Sequence, residues 1–307
     1  MATITLTVSK ETLEKMHAHY EGQIIKVPPY SRFQAKTSHC VVTAYNSLKV
    51  VFQGSDPEAE AYLWQLPPVG EEPQSPPIIK ATGTLPSNIA RLSAVGCDEV
   101  GTGDYFGPLV VCCAYVPEHL IEPFLKIGIR DSKDYKDPKI CELAEKIKGK
   151  IPHQTIVLPN AKYNEMVAKG MNANSIKAYL HNLALKKLVQ SLPEYPEYIV
   201  MDEFVNGRKY FSYLKELPKK PEIIQKNLHF IQKGESVHVA VAAASILARE
   251  SFVKYMDLVG KQLDFTLPKG AGPIVDRAGR ELVKKFGKAK LEEYSKFHFA
   301  NTGKILK

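Results

Sequence analysis

The chain contains 307 residues, of which 44% are hydrophobic and 24% are charged, and its formal net charge is +8. Its five cysteines form no Cys-x-x-Cys pair, and its N-terminus has no basic segment followed by a long apolar run, which excludes a disulfide-rich secreted scaffold and a membrane-spanning chain. We therefore expect a cytoplasmic protein with one large domain and one small domain, each with its own core.

Positive charge is concentrated after residue 90. Residues 1–90 carry seven Lys and Arg against eight Asp and Glu, whereas residues 91–307 carry 34 against 25. A polyanionic partner is one explanation of this excess. Many proteins of similar charge have no such partner, so the charge alone leaves both explanations open.

The first 66 residues have the pattern of a small α+β domain. Short apolar and β-branched runs separated by polar turns predict strands, and Ser9 and the run Ser55-Asp56-Pro57-Glu58 are typical of helix starts. The predicted elements are a strand at 4–8, a helix at 10–24, strands at 33–37, 40–45 and 48–53, and a helix at 59–66. This order indicates a curved antiparallel sheet with helices on one face.

A proline-rich segment follows this domain. Six prolines lie between residues 66 and 88, mixed with glycine, serine and glutamate. Proline removes amide donors and disfavours helix in the preceding residue, so we expect an extended linker. The predicted domains are residues 1–66 and 89–307, joined by a linker at 67–88.

The second domain alternates strands with helices, which predicts a mixed α/β layered fold. The predicted strands cover residues 94–99, 109–116, 154–158, 198–201, 223–226 and 230–232. The predicted helices cover residues 138–147, 175–191 and 239–258, and the last ones lie within 274–296. The strand at 198–201 is wholly apolar, so we expect it to be buried up to the point where Asp202 follows it.

Two adjacent acids begin the most informative motif. Asp98 and Glu99 lead into a turn that contains Gly101 and Gly103. Side chains alternate faces along a strand, so both acids point into one site only if the strand bends, and we predict such a bend. The glycines let a ligand approach the backbone. Carboxylates beside exposed amides suit a metal ion and a sugar-phosphate, although Asp-Glu-x-Gly by itself is more often a solvated turn.

Three further motifs follow in the chain. They are the run Asp131-Ser132-Lys133, Asp202 after its apolar strand, and Glu235 ten residues before Ser245 in an alanine-rich helix. Together with the first motif, they resemble the type 2 ribonuclease H family, whose pattern has these elements in the same order. Thr102 between the glycines, Glu235 as the fourth acid and a long N-terminal extension are similar to the bacterial ribonuclease HIII branch. The resemblance covers nearly the whole chain.

This resemblance implies a ribonuclease H-like mixed sheet with flanking helices, preceded by a TATA-binding-protein-like α+β domain that helps to hold the substrate. In that small domain, basic residues with aromatic residues between them are candidates for phosphate contacts and base stacking. The set comprises Lys26, Tyr30, Arg32, Phe33, Lys36, Tyr45 and Lys49. The alternative is that the aromatic residues belong to the core.

The resemblance also implies that Asp98, Glu99, Asp202 and Glu235 form a catalytic metal site, with Asp98 between two Mg²⁺ or Mn²⁺ ions. Magnesium prefers hard oxygen ligands, and clustered carboxylates without a cation would raise one another's pKa. Two ions activate the attacking water and stabilise the leaving oxygen. The alternative for Asp202 is a helix N-cap. Glu235, after Lys233 and Gly234, is expected on a mobile loop.

The expected activity is cleavage of the RNA strand of RNA/DNA hybrids, leaving 5′-phosphate and 3′-hydroxyl ends, by a monomer. The backbone of Gly101, Thr102 and Gly103 would read the 2′-hydroxyl, and Ser132 and Lys133 would support the site or a phosphate. Thr102 stands where the HII branch usually has arginine, which predicts a preference for runs of ribonucleotides. The alternatives are HII-like cleavage at single ribonucleotides and a non-catalytic hybrid-binding protein.

Overall fold

The computed structural model describes residues 2–37, 40–54, 57–62, 64, 85–130, 132–218 and 220–307. The chain divides into two compact units, residues 1–78 and 79–307. Most of the predicted linker, residues 67–84, lies outside the described residues, as do Ser55, Asp56 and Asp131. No helix in the described ranges is both long enough and apolar enough to cross a membrane.

The described part of the first unit forms a five-stranded antiparallel sheet in the order β1-β5-β4-β3-β2. Its elements are β1 (Ala2–Thr7), α1 (Lys10–His19), β2 (Ile24–Lys26), β3 (Ser31–Lys36), β4 (Cys40–Tyr45), β5 (Lys49–Gly54) and α2 (Pro57–Tyr62). Residues at alternate positions of the strands, such as Phe33 and Phe52, pack with Leu13 and Met16 of α1 in one core. The predicted α+β character is confirmed.

The first unit differs from the prediction around residue 20. The predicted helix at 10–24 ends at His19, and a 3₁₀ turn at Glu21–Gln23 leads into β2, an edge strand that the sequence analysis missed. Gly22 and the β-branched residues Ile24 and Ile25 disfavour continuation of the helix at this point.

The second unit contains a mixed sheet in the order β10-β9-β6-β7-β8 within its described residues. The strands are β6 (Ala94–Val100), β7 (Leu109–Val116), β8 (His153–Leu158), β9 (Ile199–Asp202) and β10 (Leu228–Ile231). The pairs β6-β7 and β7-β8 are antiparallel, whereas β6-β9 and β9-β10 are parallel. The predicted mixed sheet is therefore confirmed.

Helices flank this sheet and bury its two faces. They are α3 (Glu118–Lys126), α4 (Asp137–Ile147), α5 (Asn160–Ala168), α6 (Ala173–Ser191), α7 (Gly207–Lys215), α8 (Gly234–Val237), α9 (Val239–Leu263), α10 (Pro273–Phe286), α11 (Lys288–Tyr294) and α12 (Ala300–Ile305). Helix α9 packs directly on β6, since a Cβ at Gly96 would lie 2.1 Å from the backbone of Ala240 and Val241. Helix α6 packs on the opposite face, where Cys97 and Cys113 point.

One strand predicted in this unit is wrong. Residues 223–226 form no strand, because the amide of Ile224 donates to Oδ1 of Asn182 at 2.9 Å instead of to a neighbouring strand. The side-chain amide of Asn182 in turn donates to the carbonyl of Glu222 at 2.9 Å. The buried side chain of Asn182 thus makes the hydrogen bonds to this backbone that a neighbouring strand would otherwise make.

Candidate active site

Strand β6 runs without interruption through both acids of the first motif. Asp98 pairs with Cys112, Glu99 with Val111 and Val100 with Val110. The predicted bend is therefore wrong, because the ladder with β7 keeps β6 regular until Gly101, where φ reaches +96°. Alternation along the strand directs Asp98 to the face covered by α9 and Glu99 to the face covered by α6.

Asp98 lies against a serine of helix α9. Its carboxylate is bonded to Ser245, whose Oγ lies 2.8 Å from Oγ of Ser132. Oδ1 of Asp98 also accepts from the amide of Glu99 at 2.8 Å. Burial, followed by the negative charge of Glu99, raises the pKa of Asp98 to about 7, and Asp202 adds to this effect. The protein alone therefore provides too little positive charge and solvation to stabilise the ionised carboxylate of Asp98.

Glu99 has two cationic partners on α6. Its Oε1 accepts from Nζ of Lys177 and its Oε2 contacts Nε2 of His181, both at 2.9 Å. Burial alone would raise the pKa of Glu99, but His181 and Lys177 outweigh it and lower the pKa. The sequence analysis missed Lys177 and His181. The available signal was a lysine and a histidine four residues apart on a predicted helix whose neighbouring positions are mostly apolar.

Asp202 ends strand β9, parallel to β6. Its Oδ1 accepts from the amide of Gly234 at 2.7 Å. Burial raises the pKa of Asp202, and the charges of Glu235 and Glu99 raise it further. The N-cap alternative is wrong, because the next helix, α7, begins after Asn206, whose side chain accepts from the amide of Lys209.

Glu235 lies in the single turn of helix α8, not on the expected mobile loop. The turn starts after Lys233, which adopts a left-handed conformation with φ of 56°. Oε1 of Glu235 accepts from Nζ of Lys133 at 2.8 Å. Its Oε2 is buried and has no hydrogen-bond partner among the described residues. This oxygen is available to a cation.

The structure brings Asp98, Asp202 and Glu235 to one edge of the sheet. Cys97 of β6 pairs with Met201 of β9, so Asp98 and Asp202 occupy neighbouring strand ends. These carboxylates carry raised pKa values or an unpartnered buried oxygen, so their donor set fits a hard divalent cation. Glu99 points to the other face, but its charge still acts on both aspartates.

The glycine turn beside these acids is held from the C-terminal part of the chain. Gly101 has no room for a side chain, since a Cβ would lie 2.1 Å from the carbonyl oxygen of Pro108. Thr102 and Gly103 are exposed. Nζ of Lys296 donates to the carbonyls of Asp104 and Gly107, both at 2.8 Å. Lys296 is buried, and burial lowers its pKa to about 7.

The binding candidates of the first unit divide between the core and the surface. In the first unit, Phe33 is fully buried and cannot stack on a base, whereas Tyr30 is 86% exposed. The four basic candidates, Lys26, Arg32, Lys36 and Lys49, are exposed. Phe33 therefore belongs to the core. Tyr30 and the four basic residues lie on the exposed surface and stay candidates for substrate binding.

Comparisons with known proteins agree with this arrangement. The sequence profile of the Ribonuclease HII family matches residues 95–302, and that of a domain of unknown function (DUF3378) matches residues 3–76. A ribonuclease HIII of Listeria monocytogenes is 43% identical over 309 residues, which span 100% of this chain and 99% of the relative. A ribonuclease HIII of Bacillus subtilis is 41% identical over 312 residues, which span 99% of this chain and 97% of the relative. The crystal structure of Bst-RNase HIII in complex with Mn²⁺ is 40% identical, covers 99% of this chain and 98% of that one, and has a TM-score of 0.68.

Proposed function

Because the chain belongs to the ribonuclease HII family, in its ribonuclease HIII branch, we propose that it cuts the RNA strand of RNA/DNA hybrids at the site of Asp98, Asp202 and Glu235. The chain is a metal-dependent ribonuclease H. One observation carries the assignment of the site. Partly or fully buried carboxylates converge at neighbouring strand ends, where burial and mutual repulsion raise the pKa of two of them.

Asp98, Asp202 and Glu235 are the residues that would hold the divalent cation. Bound Mg²⁺ or Mn²⁺ would neutralise charge on the scissile phosphate and lower the pKa of the attacking water. Ser245 and the amide of Gly234 orient the carboxylates of Asp98 and Asp202 respectively. We assign Glu99 as the fourth carboxylate of the metal site, where it acts through its charge. Its lowered pKa keeps it ionised, and this charge acts on both Asp98 and Asp202.

Substrate recognition is proposed for the exposed turn and for the lysine beside Glu235. The turn at Gly101, Thr102 and Gly103 presents backbone groups that can exchange hydrogen bonds with a 2′-hydroxyl, which DNA lacks. The side chain of Lys133 is 77% exposed and lies at the same edge as Glu235, a position that suits a backbone phosphate. Ser132 is buried against Ser245, so we assign it to support of the site.

The absence of arginine between the two glycines bears on the substrate range. Thr102 is exposed and offers one hydroxyl, whereas arginine would offer a charged fork of donors. We therefore expect cleavage within runs of ribonucleotides and weak cleavage at a single ribonucleotide in DNA. Equal rates on both substrates would favour the HII-like alternative.

The experiment is cleavage of a labelled RNA/DNA hybrid by the full chain in Mg²⁺ or Mn²⁺, with double-stranded RNA and DNA carrying one ribonucleotide as comparison substrates. Asp98→Asn and Asp202→Asn retain the shape of each side chain but remove its charge, so both should abolish cleavage. Asp257→Asn alters an exposed aspartate of α9 and should retain it. Lack of metal-dependent cleavage by the intact chain would favour the hybrid-binding alternative.

We also propose that the protein acts as a cytoplasmic monomer. All five cysteines are free, which supports a reducing compartment, and the monomer is an expectation that the next measurement tests. Sedimentation of the purified chain with and without hybrid tests the monomer, and a stable dimer at micromolar concentration would contradict it.

A further inference from the structure

A cluster of soft potential metal ligands lies behind the carboxylate site, under helix α6. Cys97 of β6 and Cys113 of β7 face each other across the ladder. The two sulfur atoms and a ring nitrogen of His181 all lie within 4.8 Å of one another. Within the described part of the chain, they are the one group of three or more His, Cys, Asp or Glu residues with this geometry, and all three are fully buried.

Two buried polar side chains, those of His181 and Tyr210, lie near the two thiols. Nε2 of His181 is committed to Glu99 at 2.9 Å, and the ring also lies within hydrogen-bonding reach of the Cys113 thiol. The hydroxyl of Tyr210 is buried and has no hydrogen-bond partner among the described residues. Tyr210 packs in the same buried cluster as Cys97 and Cys113, and burial, followed by these two thiols, raises its pKa. The imidazole and the two thiols are therefore close enough together to bind one common ligand.

We propose that Cys97, Cys113 and His181 bind one thiophilic divalent cation, with Zn²⁺ as the best match. Two thiolates and one imidazole are ligands that zinc prefers, and around a tetrahedral ion they lie roughly 3.5–3.8 Å apart. Since the atoms now lie within 4.8 Å of one another, they need to approach by about 1.3 Å at most. Binding replaces two S–H bonds and the Nδ1–H bond of the imidazolium with bonds to the cation, and three protons leave to solvent.

The surroundings of the cluster suit this assignment. Glu99 holds the other nitrogen of His181, and such a carboxylate commonly orients a metal-bound imidazole. Hard Mg²⁺ and Mn²⁺ prefer the carboxylates of Asp98, Asp202 and Glu235, so the two faces of β6 select different cations. The proposal does not depend on nuclease activity.

The test uses Co²⁺ as a spectroscopic probe of the full chain. The protein is stripped of metal with a chelator and titrated with Co²⁺ in excess Mg²⁺, which occupies the carboxylate site. We expect thiolate-to-cobalt charge-transfer absorption that saturates at one Co²⁺ per chain. Oxygen ligands give no such band, so the signal is specific to the cysteine cluster.

A matched pair of variants assigns the ligands. Cys113→Ser should weaken Co²⁺ binding by at least about 100-fold. Cys112→Ser changes the neighbouring buried thiol, which points to the α9 face and accepts from Thr155, and it should retain the absorption. Equal titrations of the two variants would overturn the proposal.

X-ray absorption of the unaltered chain loaded with one Zn²⁺ in excess Mg²⁺ provides a readout that needs no variant. Two sulfur atoms in the first coordination shell are expected. A shell of oxygen and nitrogen alone, or failure to retain Zn²⁺ through gel filtration, would show that a buried water or a direct thiol–imidazole contact satisfies the cluster.

Discussion

Nζ of Lys133 lies 2.8 Å from Oε1 of Glu235, so an exposed lysine covers a buried carboxylate at the edge of the candidate site. The side chain of Lys133 is 77% exposed, and that of Glu235 is 4% exposed. The ammonium group of Lys133 is therefore in contact with solvent and with the carboxylate of Glu235 at the same time. Its position connects the acid to the proposed path of the substrate backbone.

Lys133→Ala is expected to weaken binding of an RNA/DNA hybrid by about 3- to 10-fold and to lower the salt dependence of binding by about one ion, because one phosphate contact is lost. Fluorescence anisotropy at several salt concentrations, without divalent cations, measures both quantities. Lys150→Ala is the control, since Lys150 is exposed just before β8, at the opposite end of the sheet. An unchanged salt slope in Lys133→Ala would remove Lys133 from the substrate path.

Asp98→Asn is expected to stabilise the metal-free protein more at pH 8 than at pH 5. The pKa of Asp98 is raised to about 7 by burial and by Glu99, whereas an unfolded aspartate titrates near 4. Ionisation therefore costs the folded state more than the unfolded state, and stability is lost as the pH rises through about 7. The gain from Asn should grow by about 1–3 kcal/mol between the two pH values.

Urea unfolding in a chelating buffer at both pH values measures this difference. Asp257→Asn serves as the control because Asp257 is an exposed residue of α9. If Asp98→Asn and the unaltered chain keep a constant difference in unfolding free energy across this range, the carboxyl of Asp98 is not destabilised by its surroundings.

Lys177→Met is expected to lower the free energy of unfolding by about 3 kcal/mol, because it leaves the charge of Glu99 buried with His181 as its remaining cationic partner. The side chains of Lys177 and Glu99 are 6% and 13% exposed. Lys186→Met is a matched control on the same helix, where the pair with Glu222 is 35% and 63% exposed. The control should change stability by less than about 1 kcal/mol.

Urea unfolding of both lysine variants, together with Lys177→Met/Glu99→Gln, provides the measurement. The double variant removes the uncompensated charge and should recover part of the lost stability. Equal stability of Lys177→Met and Lys186→Met would mean that the buried pair contributes no more than the exposed one.

Lys296→Met is expected to raise the KM for the hybrid several-fold and to lower stability by about 2 kcal/mol, because it leaves the carbonyls of Asp104 and Gly107 without their donor. Lys296 is a positioning residue, since it binds the backbone carbonyls of the glycine turn and does not itself contact the substrate. Steady-state cleavage and thermal unfolding separate the two effects. Lys290→Met, which breaks an exposed pair with Glu293, should leave the KM unchanged. A stability loss in Lys296→Met without a change in KM would assign Lys296 to packing alone.

Local patterns predicted most strands and helices of this chain. The strand at 109–116 has the same bounds in sequence and structure, and the long alanine-rich helix starts at the predicted Val239. Each depends on apolar periodicity and propensity within a few turns of chain. The strand at 223–226 failed because its backbone is bound by Asn182, about 40 residues away, which no local pattern reveals.

The sequence by itself determined the family, the mixed sheet and which acids end neighbouring strands, because these follow from motif order and from hydrophobic patterns along short segments. Only the tertiary structure decided that β6 stays straight through Asp98 and Glu99, and that Glu99 turns to Lys177 and His181. It also decided that Cys97, Cys113 and His181 converge under α6. The physical reason is that ladder register and helix packing choose the partners of a buried charge or thiol from residues about 80 positions away, beyond the reach of local periodicity.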